Sequence, residues 1–185
     1  MQAVLFEAEA QRRAGLEDSG RRENVRHWLE ERGHEGRVLT RGLTIWQPWL
    51  RMMMERRKRW EFRGWPHGRP GWTIMLHAGK RPDPDWRAIA RRYGMVASAP
   101  GVLGAVVGVG VLGRCEPLTA PGGWPWPNHE LSEVPGYPTA AGDWYAWEWR
   151  EIVPLIEPVP CRGYQGFWAP SERIRQEVME RILLR

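Results

Sequence analysis

Thr44-Ile45-Trp46-Gln47-Pro48-Trp49 opens a run that continues through Leu50-Arg51-Met52-Met53-Met54-Glu55-Arg56-Arg57 to Lys58-Arg59-Trp60-Glu61-Phe62-Arg63. A shorter echo follows at His77-Ala78-Gly79-Lys80. Leu43 to Trp46 reads as a short strand. Pro48 suits the first turn of a helix, where the N–H it lacks would have no partner anyway. Trp49, Met52 and Met53 then fall on one helical face, the spacing of a core stripe. Trp49, at the helix start, suits a cleft wall equally well. Lys58 to Phe62 reads as a strand, in which side chains alternate. Trp60 and Phe62 are therefore expected on one side, with Arg59, Glu61 and Arg63 on the other.

Charge singles out the same run. The chain carries 27 Lys+Arg against 22 Asp+Glu, a net charge of +5. Between Arg51 and Arg69 there are seven basic residues and two acidic ones, Glu55 and Glu61, so this segment holds the whole surplus. A local basic stripe is the footprint of a phosphate-bearing partner, or simply a solvated face. Lys58 and Lys80 are the only lysines among the 27 basic residues. Lysine, unlike arginine, sheds its proton when buried and so can act as base or nucleophile. Both lysines fall in the opening run and its echo.

These residues carry a resemblance. Ile45-Trp46-Gln47-Pro48-Trp49, then Lys58-x-x-Glu61-x-Arg63 with Trp65, then Ile74-Met75-Leu76-His77-Ala78 resembles the ASCH family, a branch of the PUA-like fold. Gly104-Ala-Val-Val-Gly-Val and Gly163-Tyr-Gln-Gly-Phe-Trp168 are similar to that family's middle strand and closing motif, so the likeness spans about residues 42 to 170. Short strands, two helices and no βαβ rhythm agree with it. The fold class expected is α+β: a small PUA-like, mostly antiparallel β-barrel with flanking helices. An N-terminal helical extension is expected over 1–41, the ASCH domain over 42–170, and a C-terminal helix packing on the domain over 171–185.

The resemblance implies a cleft beside the helix that begins at Pro48, with Lys58, Glu61 and Arg63 at its floor. It also implies RNA, single-stranded or carrying a modified base, or a nucleotide as the ligand. RNA recognition favours unstacked bases held on aromatic and arginine planes. The residues expected to contact that ligand are Gln47, Trp49, Arg56, Arg57, Arg59, His77, Lys80 and Arg162. The alternative is a hydrolase with Lys58 and Glu61 as an acid–base pair, either a metal-independent ribonuclease or an amidohydrolase acting on an acylated pyrimidine nucleoside. Some family members use a lysine, a threonine three residues later and a glutamate. Here Lys58 matches the lysine, while Glu61 stands at the threonine. Trp46 replaces the usual arginine, Arg56 a glycine, Arg59 a threonine and Phe62 an asparagine. The entrance thereby becomes bulkier and more basic, which suits a polymer better than a free nucleoside.

The rest of the chain bounds the reading. Cys115 and Cys161 lack any Cys-x-x-Cys partner, so neither zinc nor a disulfide framework is indicated, and no cofactor or metal is expected. No run approaches the roughly 18 apolar residues of a membrane span. The first residues lack a signal-peptide pattern, so a cytoplasmic, non-membrane protein is expected. Ser19 can cap a helix over 20 to 31 whose stripe, Val25, Trp28 and Leu29, packs on the main domain or on a protein partner. Gly71 to His77 is a buried strand, and a helix from Asp83-Pro84 places Trp86, Ile89, Ala90 and Tyr93 inward. Gly108-Val-Gly-Val-Leu-Gly113 matches a dinucleotide fingerprint formally, but prolines rather than a helix follow, so it reads as a strand curved at its glycines. Residues 115 to 142 read as a Pro/Gly loop in which Trp124 and Trp126 either stack on bases or close over the core. Strands over 143 to 152, 152 to 159 and 162 to 168 finish the sheet, and Ser171 caps a last helix with Ile174, Val178 and Ile182 inward.

Overall fold

The computed structural model describes residues 24–25, 27–31, 39–118, 135–136, 138 and 142–182. Expected features at 1–23, 26, 32–38 and 183–185, and the loop tryptophans Trp124 and Trp126, lie outside the described residues. Six strands form one sheet: β1 (Gly42–Ile45), β2 (Trp60–Arg63), β3 (Thr73–Ala78), β4 (Ala105–Pro117), β5 (Tyr145–Pro160) and β6 (Phe167–Trp168). Their order is β2-β5-β4-β3-β1-β6. β1 pairs with β3 in parallel, and the other pairings are antiparallel. Three helices are α1 (Trp49–Met54), α2 (Trp86–Arg92) and α3 (Glu172–Arg181). Residues 24–25 and 27–31 are helical as well.

The expected barrel is not closed. No ladder joins β2 to β6 among the described residues, and the sheet keeps two edges. It is nevertheless strongly curled. The long β4–β5 pairing shifts register three times, and β3–β4 shifts between Leu76 and His77. Each such irregularity bends a strand and adds twist. Side chains, not backbone, bring the two edges together. Trp65, just past β2, meets Phe167 of β6 edge-on at 5.3 Å and Trp147 at 4.4 Å. The seam is aromatic because β6 has only two residues with which to pair.

Strand alternation divides the core in two. Ile74 and Leu76 of β3 face the inside of the curl with Leu43, Ile45, Trp147 and Trp149, where Leu50 and Met53 of α1 plug it. Met75 faces outward and joins Val109, Val153 and the apolar stripe of α3, Ile174 and Val178. Val25, Trp28 and Leu29 are buried in that outer cluster. This stripe therefore packs on the sheet. Ser171 caps α3 by accepting from the Ile174 N–H at 3.4 Å, as its sequence position predicts.

Three boundaries differ from the sequence reading. β4 continues to Pro117, past the point where a loop was expected. The two expected strands that meet at Ile152 are one strand, β5, whose bulges absorb the break. The third, expected over 162 to 168, is β6 alone. The glycines of β4 act by letting large side chains in: a Cβ on Gly110 would lie 2.7 Å from the buried Trp149 ring. Gly110→Ala is expected to destabilise the fold by about 1–3 kcal/mol through overpacking. A lowered urea midpoint with unchanged slope is the readout, and a wild-type midpoint contradicts this packing.

Candidate functional site

α1 ends in a turn that delivers Lys58 to the start of β2. Arg56, at the position where the ASCH pattern has glycine, adopts φ 59, the left-handed conformation that glycine adopts without strain. The Lys58 ammonium, 2 % exposed, is turned inward. It donates to the Trp60 carbonyl and, at 3.1 Å, to Glu61 Oε2. Glu61 Oε1 lies 2.9 Å from the Arg63 guanidinium, which also donates to the Thr44 carbonyl of β1 at 3.0 Å. The three expected floor residues thus converge into one chain of charge-assisted bonds. Arg63 alone retains appreciable exposure, with 24 % of its side chain open. Gly136 covers the lysine: at φ +83, its Cβ position is 3.3 Å from Lys58 Cε and 3.4 Å from the Trp49 ring.

Burial is the largest single influence on both groups, but it decides the direction only for Lys58. It pulls the Lys58 ammonium below its ordinary value, against the opposing attraction of Glu61. Burial pushes Glu61 up, but the charges of Lys58 and Arg63 and their hydrogen bonds outweigh it, so the carboxyl lies below its ordinary value.

The remaining expected contacts divide into buried and exposed groups. Gln47 is buried: its Oε1 accepts from the Arg51 N–H at 2.9 Å and its Nε2 donates to the Val102 carbonyl at 2.9 Å. It caps α1 and ties down the loop before β4. Trp49 is half-buried, donating from Nε1 to Asp83 at 3.1 Å. His77 is 1 % exposed and both its nitrogens are used. Nε2–H donates to the Cys161 carbonyl at 3.1 Å, which leaves Nδ1 to accept from the Thr44 hydroxyl at 3.3 Å. Burial lowers its pKa, keeping it neutral. Arg56, Arg57, Arg59, Lys80 and Arg162 are exposed. Arg57 reaches the Tyr93 carbonyl.

Arg59 does not share the Glu61 face. It precedes β2, so alternation does not govern it, and it pairs with Glu148 of β5 at 3.0 Å on the opposite side. There Glu148 also takes Arg114 at 3.2 Å. Burial pushes that carboxyl up, but the Arg114 N–H and the two guanidinium groups bring it below its ordinary value. Beside Arg59 opens a cavity of about 280 Å³, lined by Arg56, Lys58, Arg59, Trp149, Arg150 and Glu151, with Ile152 beyond. Glu151 is engaged by Trp28 Nε1 at 3.0 Å. Trp149 Nε1 is buried without an acceptor among the described residues. Arg150 is the residue missed by the sequence reading; its alternation with Glu148 along β5 was the available signal, but its meeting with Arg56 is tertiary. No group of three or more His, Cys, Asp or Glu among the described residues is placed to hold a metal. No helix of the described residues is long and apolar enough to cross a membrane.

A curled, unclosed sheet with a helix plugging its inner face and a buried Lys–Glu–Arg relay at its seam is the arrangement to compare with known proteins. No family model matches the sequence, and no curated protein does. Among solved structures, an ASCH protein from Zymomonas mobilis superposes with a TM-score of 0.51 at 12% identity, covering 77% of this chain and 95% of that one. A mutant of the Zymomonas mobilis protein with one serine replaced by alanine gives 0.43 at 12% identity, over 74% of this chain and 92% of that one. The chain has the ASCH-domain fold.

The two pKa shifts act on stability in the same direction. The unfolded chain protonates Glu61 more readily, so its contribution is complete above the ordinary carboxylate value of 4.5 and is lost as pH falls through the folded value. Folding weakens the hold of Lys58 on its proton, a penalty that fades as pH rises through the folded value toward 10.5. Stability therefore rises with pH in both windows. Glu61→Gln is expected to cost about 3–5 kcal/mol at neutral pH, because it leaves two buried cations without a counter-charge. Lys58→Met is expected to cost less, since Arg63 still pairs with Glu61, and to flatten the alkaline rise. Urea unfolding across a pH series measures both, and equal losses for the two variants contradict the relay.

Proposed function

We propose that the protein binds RNA or a nucleotide through the basic surface beside the relay. One observation carries this reading: Arg56, Arg59 and Arg150 bound a single cavity of about 280 Å³. Guanidinium groups suit phosphate oxygens by geometry as well as charge. The ASCH-domain fold supports the ligand class, since PUA-like folds commonly bind RNA. In this reading the ligand sits against the arginines, and of the relay Lys58 alone lines the same cavity.

A second reading has one observation in its favour. Lys58 and Glu61 stand 3.1 Å apart, and burial pulls the lysine below its ordinary value. Such a pair can pass a proton near neutral pH, as hydrolysis of a phosphodiester or of an acylated base requires. The packing of Gly136 on Lys58 weighs against it. Loss of RNA cleavage with retention intact in Lys58→Met marks an enzyme. Retention by a wild-type protein that never cleaves marks a binder, and that is the outcome expected.

Titrating single-stranded RNA binding against salt tests the main reading. Three phosphate contacts give a log–log slope of roughly −2, and Arg150→Ala is expected to reduce it by about 0.7. A flat response in the wild-type protein removes the nucleic-acid reading.

A further inference from the structure

One end of the sheet presents a second surface, remote from the cavity. β1 and β3 run parallel and finish there, β4 begins there and β5 ends there. The loops that leave these strands are held together. The Gly79 N–H donates to the Ile45 carbonyl at 3.1 Å, and the Cys161 N–H donates to the Gly104 carbonyl at 3.1 Å. Gly163 lies so close to β1 that a Cβ there would be 2.5 Å from Thr44 Oγ1 and 2.3 Å from His77 Nδ1.

Two large aromatic rings flank this junction in the open. Trp46 is 52 % exposed, although it continues a buried strand, and its ring lies over Gly79, whose Cβ position is 3.1 Å from Trp46 Cδ1. Tyr164 is also 52 % exposed, with the Arg162 guanidinium 5.1 Å from its ring centre. Exposed Val102 and Leu103 lie in the loop beside them. The segments 44–48, 78–82, 101–104 and 161–166 contain Lys80, Arg81 and Arg162, all exposed, and no carboxylate. The nearest acid along the chain, Asp83, is held by Trp49 Nε1 and the Asp85 N–H and forms no ion pair with these cations among the described residues. Exposed aromatic rings beside unopposed cations fit a ligand with flat apolar faces and regular negative charge.

We propose that the strip from Trp46 past Gly163 to Tyr164 is a stacking platform for unpaired bases, with Lys80 and Arg162 taking the phosphates. The occupant is a single-stranded stretch of nucleic acid. A duplex keeps its base faces stacked inside and offers none to these rings, whereas aromatic stacking on single strands is strong and tolerant of sequence. The inference rests on the function proposed above and extends it. The cavity lies at Trp149 to Ile152 and the platform at the far end of β5, so the two suit a polymer rather than a free nucleotide.

The test is fluorescence anisotropy of the full chain with a labelled single-stranded RNA of about a dozen nucleotides and with the same strand in duplex, over a salt series. Trp46→Ala and Tyr164→Ala are each expected to weaken single-strand binding by roughly 5- to 100-fold with the salt slope unchanged and duplex binding unaltered. Trp46→Phe is expected to restore most of the loss, and Lys80→Ala or Arg162→Ala to lower the salt slope by about 0.7. If single-strand binding responds to Arg150→Ala but not to either aromatic variant, the platform is overturned while the cavity stands. If the wild-type protein binds neither probe, both readings fall.

Discussion

A lysine, a glutamate and an arginine, none of them freely solvated, hold this fold together where its backbone does not. The strand order leaves β2 and β6 as edges, and no ladder crosses between them. Arg63 spans the gap with a hydrogen bond to Thr44, and it can stay there because Glu61 neutralises it from one side. Lys58 in turn balances Glu61. Removing charges from water costs several kcal/mol each, so such a relay persists only when every member is paired and hydrogen-bonded. The aromatic contact of Trp65 with Phe167 keeps water out of the seam and thereby strengthens the electrostatics beneath it.

The same constraint explains which charged groups reach the surface. The relay is occupied internally, and the cations left at the surface lie beside it: Arg56 on a left-handed turn, Arg59 against Glu148, and Arg150 across the cavity. His77 follows the same logic at the other end of the sheet. Its two nitrogens join β1 to the segment after β5, and the exposed groups around it, Trp46, Arg162 and Tyr164, form the outer surface.

Much of this was legible in the sequence because it is local. Gln47-Pro48-Trp49 marked the turn from β1 into α1, alternation placed Trp60 and Phe62 opposite Glu61, and the apolar run before His77 marked the most buried strand. The convergence of Lys58, Glu61 and Arg63 was legible through spacing and family resemblance together. Three things were not. Burial of Lys58 depends on Gly136, nearly eighty positions away, packing over it. Closure of a sheet depends on whether its edges can pair, and the two-residue length of β6 is set by tertiary packing. Arg59 lies one residue before β2 begins, so strand alternation does not fix its face.

With two lysines in the chain, the burial of one and the exposure of the other can be read in a single experiment. Brief treatment of the native protein with an amine-acylating reagent, followed by peptide mass spectrometry, compares Lys58 with Lys80 directly. A sealed relay predicts rapid modification of Lys80 and protection of Lys58 until the protein is unfolded. Acylation of Lys58 at the rate of Lys80 in the native protein would show the seam open and the ammonium facing solvent, and would contradict the account.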